Sequence, residues 1–267
     1  MEILFVLAAA LVPVFFLFRY VNKKDSARPE PRIQVVLAFV LGVMSAFLAL
    51  MLSWFLGEFK FYTDSVVSMF GAFRVSLFGA ALPEEVAKFF FFWLLVRKNK
   101  YFDERMDGIV YASCVSLGFA AIENVLYLMN NYDSWVSVGI ARALFSVPGH
   151  LYFGVFMGYY YSLVHFSNNP SRFNVAMVLV APIFAHTVFD TILFSMNENV
   201  VLSIVLVISF FILCILMRKR ALNKMKTLLE DDDRCFELQQ NGVVDETLYP
   251  SQSDSLSTDS ENQTPRT

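Results

Sequence analysis

Seven stretches of the chain are apolar over membrane-spanning lengths, with short polar connections between them. They cover approximately residues 3–21, 33–57, 66–96, 108–129, 135–166, 173–196 and 200–217. A helix needs about 20 apolar residues to cross a hydrocarbon core, and it satisfies its own backbone donors and acceptors there. The pattern predicts an all-α, polytopic transmembrane helix bundle of about seven spans. The third stretch is too long for one straight crossing. Pro83 lacks a backbone donor and crowds the turn before it. A break is expected there, with an interfacial piece around Val66–Arg74 and a helix starting near Pro83.

The connections carry the orientation signal. Counted with Arg19, the first holds five Lys and Arg, and the next holds only Lys60. The third holds Arg97, Lys98, Lys100 and Arg105, and residues 130–134 hold none. The fifth has Arg172, the sixth (197–199) has none, and the exit has Arg218, Lys219, Arg220, Lys224 and Lys226. This alternation follows the positive-inside rule with the N-terminus outside and the C-terminus in the cytoplasm. A second full crossing within 66–96 would spoil it. The first stretch has its basic residues behind rather than in front, so it reads as a retained helix and not as a cleaved signal.

Composition agrees with a membrane protein: 57% of the 267 residues are hydrophobic and 29 are Phe. Residues 1–220 form the predicted transmembrane domain, and 221–267 form an acidic cytoplasmic tail, expected to be disordered beyond about Thr227. Ten acids against Arg234 and Arg266 in residues 227–267 leave no basic surface for nucleic acid. Cys114, Cys214 and Cys235 lack the spacing of a disulfide framework or a zinc knuckle.

Against this background the polar residues inside the spans stand out. Glu84, Glu85, Lys88, Glu123, Arg142, His150, His186 and Asp190 all interrupt apolar runs. A charge at bilayer depth costs on the order of 3 kcal/mol on insertion scales, so such residues mark function. At 1.5 Å per residue, Glu84 and Glu85 lie roughly 17 Å from the cytoplasmic end of their span, Glu123 about 22 Å and His186 about 20 Å, with Asp190 a turn further. Three spans therefore bring polar groups to a similar depth. Lys88 reaches either glutamate at i,i+3 or i,i+4. One acid can pair with it while the other faces a cavity as a general acid or base. Asp190 stands one turn from His186 and can fix its tautomer. Arg142, near the outer end of its span, reads as a snorkelling or acid-pairing residue rather than a catalyst. Gly154 and Gly158 form a small-xxx-small face for close helix approach.

Four ordered motifs, Pro83-Glu84-Glu85-Val86-Ala87-Lys88, Phe119-Ala120-Ala121-Ile122-Glu123-Asn124, His150-xxx-Gly154 and His186-xxx-Asp190, resemble the PrsW family of intramembrane proteases, distant relatives of the CAAX prenyl proteases. The resemblance covers roughly residues 1–220. It implies a multi-pass protease of the bacterial cell membrane that cuts membrane-anchored proteins, typically an anti-sigma factor at its extracytoplasmic side. It further implies that Glu84 activates the hydrolytic water with help from His150. Glu85 and Glu123 would hold that water, a metal or a neighbouring side chain. His186 and Asp190 would stabilise the oxyanion or complete a ligand set, with Lys88 and Asn124 in support.

His150, His186, Glu85 and Glu123 can supply a catalytic Zn2+ site with an open position, although the His-Glu-x-x-His spacing of zinc peptidases is absent. Metal-dependent and metal-free chemistry both stay open. A proton- or cation-coupled transporter is the alternative, because intramembrane Glu, His and Asp also build relays. Against it, the sequence shows one expected break and no inverted repeat.

Overall fold

A computed structural model describes residues 2–25, 28–63, 68–195 and 200–241. Among them the chain is helical, with no strand. Helices α1 (Glu2–Lys24) and α2 (Arg32–Glu58) come first. Then α3 (Met69–Arg74), a π-helical segment (Val75–Ala81) and α4 (Leu82–Val96) run on without a gap. Helix α5 (Arg105–Asn130) follows, then a short 3-10 turn. Another continuous run joins α6 (Trp135–Ala141), a second π-helical segment (Arg142–Ser146) and α7 (Val147–His165). Helices α8 (Arg172–Phe194) and α9 (Val200–Gln240) complete the bundle. These runs match the seven apolar stretches. Six of them are long and apolar enough to cross a membrane, and the remaining run carries Arg74, Glu84, Glu85 and Lys88.

As expected, an α-helix starts near Pro83, at Leu82, but the helical run leading into it is not interrupted. The turn before it widens instead: the Leu82 amide donates to Leu77 O, five residues back. Pro148 follows the same rule, with the Val147 amide donating to Arg142 O. Each proline sits in the first turn of its new α-helix, where a missing donor is tolerated. The widened turn absorbs the local misfit, and π-turns of this kind recur at functional sites. The stretch expected to be interfacial is helical from Met69, while Val66 lies outside the described residues.

Helix α5 is the hub. Every residue from Met106 to Ala121 is buried, and α2, α7, α1 and α4 all pack on it. Close approach depends on bare backbone. A Cβ on Gly158 would overlap the carbonyl of Gly108, and one on Gly118 would overlap that of Phe39. The small-residue face of α7 therefore works as the sequence suggests, against α5.

Helix α9 corrects the expectation for the tail. It continues to Gln240, and Ala221, Met225, Leu228, Asp232 and Cys235 are buried along it. Their alternating spacing of four and three residues is one helical stripe, masked in the sequence by the acids around it. Asp232 reaches the start of α5, accepting from the amides of Arg105 (3.1 Å) and Met106 (2.8 Å). Residues 242–267, the rest of the acidic tail, lie outside the described residues.

Candidate active site

Both π-to-α junctions aim their next residues inward. After the first come Pro83, Glu84 and Glu85; after the second come Pro148, Gly149 and His150. Helix α5 adds Glu123 and Asn124, and α8 adds His186 and Asp190. The six residues expected to carry chemistry thus converge, together with Lys88 and Asn124.

Lys88 is at the centre and fully buried. Its Nζ lies 2.8 Å from Glu85 Oε1, 3.3 Å from Glu84 Oε2 and 3.1 Å from His150 Nδ1. The ammonium also stands 4.0 Å from the ring centre of Phe119, a cation–π contact. Leaving a charge there without partners would cost several kcal/mol. Two acids, an imidazole and an aromatic face remove that penalty.

The two glutamates differ in environment. Glu85 is wholly buried, and its Oε1 also faces His186 Nδ1 at 2.9 Å. Its Oε2 has no partner. Glu84 is 15% exposed and lines a cavity of about 380 Å³. Its contacts to Lys88 and to His186 Nε2 (3.9 Å) use Oε2, which leaves the other oxygen toward the cavity.

His186 spans two carboxylates, with Glu85 on Nδ1 and Asp190 3.2 Å from Nε2. Both nitrogens are satisfied when each carries a proton. Its ring stacks on Phe153, with centroids 4.6 Å apart and planes 16° off parallel.

A second chain of contacts runs through Glu123. Its Oε2 accepts from Arg142 Nη2 and meets His150 Nε2, both at 2.7 Å. Arg142 Nε donates to Asn124 Oδ1, and Asn124 in turn donates to Ala10 O on α1. The guanidinium lies 4.0 Å from the Tyr127 ring centre. Acid pairing is therefore the correct half of the sequence reading of Arg142, which also borders the cavity beside Glu84. Tyr127 and Phe153 were not singled out in the sequence. Their signal was spacing: Tyr127 is one turn beyond Glu123, and Phe153 is three residues beyond His150.

Glu84, Glu85 and His150 each offer a ligand atom within 4.8 Å of the others, a group able to hold a metal ion. Of the ligand set considered in the sequence, His186 and Glu123 are not in this group: His186 Nδ1 faces Glu85, and Glu123 Oε2 meets Arg142 and His150. The three grouped side chains are also the ones that Lys88 contacts. Its ammonium stands where an ion would be shared, so this arrangement does not fit a resident metal.

A family model described as PrsW family intramembrane metalloprotease matches residues 30–217. A protein named Protease PrsW from Oceanobacillus iheyensis is 31% identical over 216 residues, covering 81% of this chain and 95% of that protein. Proteins of the same name from Geobacillus kaustophilus and Bacillus subtilis are each 34% identical, over 71% and 72% of this chain and 80% and 84% of their own lengths. No solved structure matches. With a family model spanning most of the chain and relatives of this similarity, the chain belongs to the PrsW family of intramembrane proteases.

Proposed function

We propose that this protease hydrolyses a peptide bond of a membrane-anchored protein with a water activated by Glu84. The observation that carries the assignment is the asymmetry of the glutamate pair. Glu85 is wholly buried against Lys88 and His186, whereas Glu84 is part of the cavity lining. A general base must reach the proton it removes, and only the Glu84 carboxylate of the pair does so.

In this mechanism Glu84 takes a proton from the water, and the oxygen attacks the scissile carbonyl carbon. Negative charge develops on the carbonyl oxygen as the tetrahedral adduct forms. Arg142 is placed to receive it, since Nε and Nη2 are committed to Asn124 and Glu123 while Nη1 has no partner among the described residues. A donor fixed in advance stabilises such an oxyanion. Glu84 then returns its proton to the leaving amine as the C–N bond breaks. His186 and Asp190 hold the charge balance behind Glu84, and His150 fixes Glu123. No step is routed through a metal.

The cavity walls favour an apolar substrate segment, because Phe145, Phe189, Phe194, Phe210 and Phe211 surround the polar cluster. We place the N-terminus outside, the C-terminus in the cytoplasm and the protein in the bacterial cell membrane, on the strength of the loop charges. An anti-sigma factor is the substrate class implied by the family resemblance.

The test is membrane proteomics of cells carrying either the natural chain or Glu84→Gln. Glu84 has the fewest partners of the pair, so the variant keeps its fold and loses about 10²–10⁴-fold in rate. Uncleaved membrane-anchored proteins accumulate with the variant and are then cleaved by the purified natural chain. Unchanged cleavage by Glu84→Gln overturns the assignment.

A further inference from the structure

A second group of carboxylates lies at the opposite end of α5. Asp25, in the turn after α1, is 3% exposed, and Asp107, in the first turn of α5, is fully buried. Glu30, from the α1–α2 connection, joins them, and each residue offers an oxygen within 4.8 Å of the others. Asp107 is 16 residues from Glu123, roughly 24 Å along the helix. The group is therefore separate from the active site.

Its internal contacts leave acceptors over. Asp107 Oδ2 takes the amides of Asp103 (3.0 Å) and Glu104 (2.7 Å), and the Tyr111 hydroxyl donates to Glu30 Oε2. Asp25 Oδ2 and Asp107 Oδ1 are buried with no amide, hydroxyl or cationic partner, while the Asp107 and Glu30 carboxyls hydrogen-bond to each other. The neighbouring cation, Arg28, is engaged elsewhere, with Glu104 at 2.5 Å and Asp233 at 3.1 Å. Glu104 and Asp232 add further negative charge around Asp25, whose carboxyl is pushed up to about 8 by burial and by these acids. An unpaired buried acceptor is costly, and here two belong to adjacent carboxylates.

We infer that Asp25, Glu30 and Asp107 form a binding site for one hard divalent cation, of the Mg2+ or Ca2+ class. All-oxygen, carboxylate-rich ligand sets suit such ions, and no His or Cys is present to favour zinc or copper. The ion ties the α1–α2 connection to the start of α5. It completes the two orphaned carboxylates and fixes the hub helix at the end away from the catalytic residues.

The experiment uses the full chain, purified in detergent and stripped with chelator. Mn2+ serves as a paramagnetic probe, and Mg2+ and Ca2+ as competitors. The natural chain binds one Mn2+ that Mg2+ or Ca2+ displaces, and Mg2+ or Ca2+ alone raises its Tm by several degrees. Asp25→Asn with Glu30→Gln abolishes both effects. In the absence of cations, that double variant melts higher than the natural chain, because repulsion is relieved. Should it not fold, Asp25→Asn alone gives the same contrast. Glu84→Gln with Glu85→Gln retains the binding. The inference is overturned if no Mn2+ binds, if binding is lost with Glu84 and Glu85 instead, or if only acidification stabilises the natural chain, which would mean that the carboxyls merely share protons.

Discussion

Lys88 Nζ stands 3.1 Å from His150 Nδ1, a contact between α4 and α7 that spans 62 positions. An ammonium can only donate, so Nδ1 must accept, and the ring proton resides on Nε2 facing Glu123. One lysine thus sets the tautomer of the histidine on a neighbouring helix. Replacing it with Met removes the cation shared by Glu84 and Glu85 and leaves Glu85 buried beside the His186 ring alone. Thermal unfolding in detergent should show a loss of about 3–5 kcal/mol, the usual cost of breaking a buried ion pair by removing one partner. Unchanged stability would show that the ammonium is not a structural centre.

The same lysine bears on metal binding. With the ammonium among Glu84, Glu85 and His150, the natural chain should carry well below one zinc per molecule after purification. Lys88→Ala empties that place and leaves a two-carboxylate, one-imidazole set, so this variant should take up one zinc per chain. Elemental analysis of both proteins decides. A full complement of tightly held zinc in the natural chain would mean that Lys88 moves aside.

Arg142 gives a kinetic prediction. Lysine keeps the positive charge but loses the fork that engages Asn124 and Glu123 at the cavity wall. Arg142→Lys should lower kcat by about 10²–10³-fold, the range for removing an oxyanion donor, with little change in KM. The assay is cleavage of a reconstituted substrate recovered from the Glu84→Gln proteomics. A change confined to KM would assign Arg142 to substrate binding.

Asp232 links the last helix to the hub. Its two oxygens accept the Arg105 and Met106 amides, which have no acceptor within their own helix. Asp232→Ala should cost about 1–2 kcal/mol, the range for a lost N-terminal cap. Hydrogen exchange should localise the change to the first turn of α5, and exchange confined to α9 would contradict the capping role.

The Asp25 carboxyl gives a pH dependence. It is raised in the folded chain from 3.8 to about 8, chiefly by burial, so the folded state holds this proton more tightly than the unfolded chain does. The resulting stabilisation is complete below the unfolded value and fades as pH rises through about 8. In cation-free buffer Tm should fall between about pH 5 and pH 9, and Asp25→Asn should flatten that slope.

Much of this was legible in the sequence because lipid is an exacting solvent. Apolar run length fixed the positions of the helices, and the cost of burying charge singled out Glu84, Glu85, Glu123, His150, His186 and Asp190. What stayed hidden depended on partners from distant segments. Nothing local distinguishes Glu84 from Glu85, since the difference arises where His186 arrives from α8. For Arg142 the sequence left snorkelling and acid pairing open, and only the arrival of Glu123 from α5 and Asn124 beside it decides for pairing. The Asp232 cap was hidden for the opposite reason: four consecutive acids, Glu230–Asp233, suggest a solvated tail and mask the stripe of buried residues running through them.

A π-turn is an α-helix holding one surplus residue, so each of the two widened turns shifts the phase of everything after it by about 100°. Glu84, Glu85 and His150 face inward because of that single extra position in each helix. Deleting one residue from Val75–Ala81 or from Arg142–Ser146 would restore an uninterrupted α-helix and swing the downstream side chains away from the cavity. The chemistry of this protein is therefore encoded in a count of residues as well as in their identities.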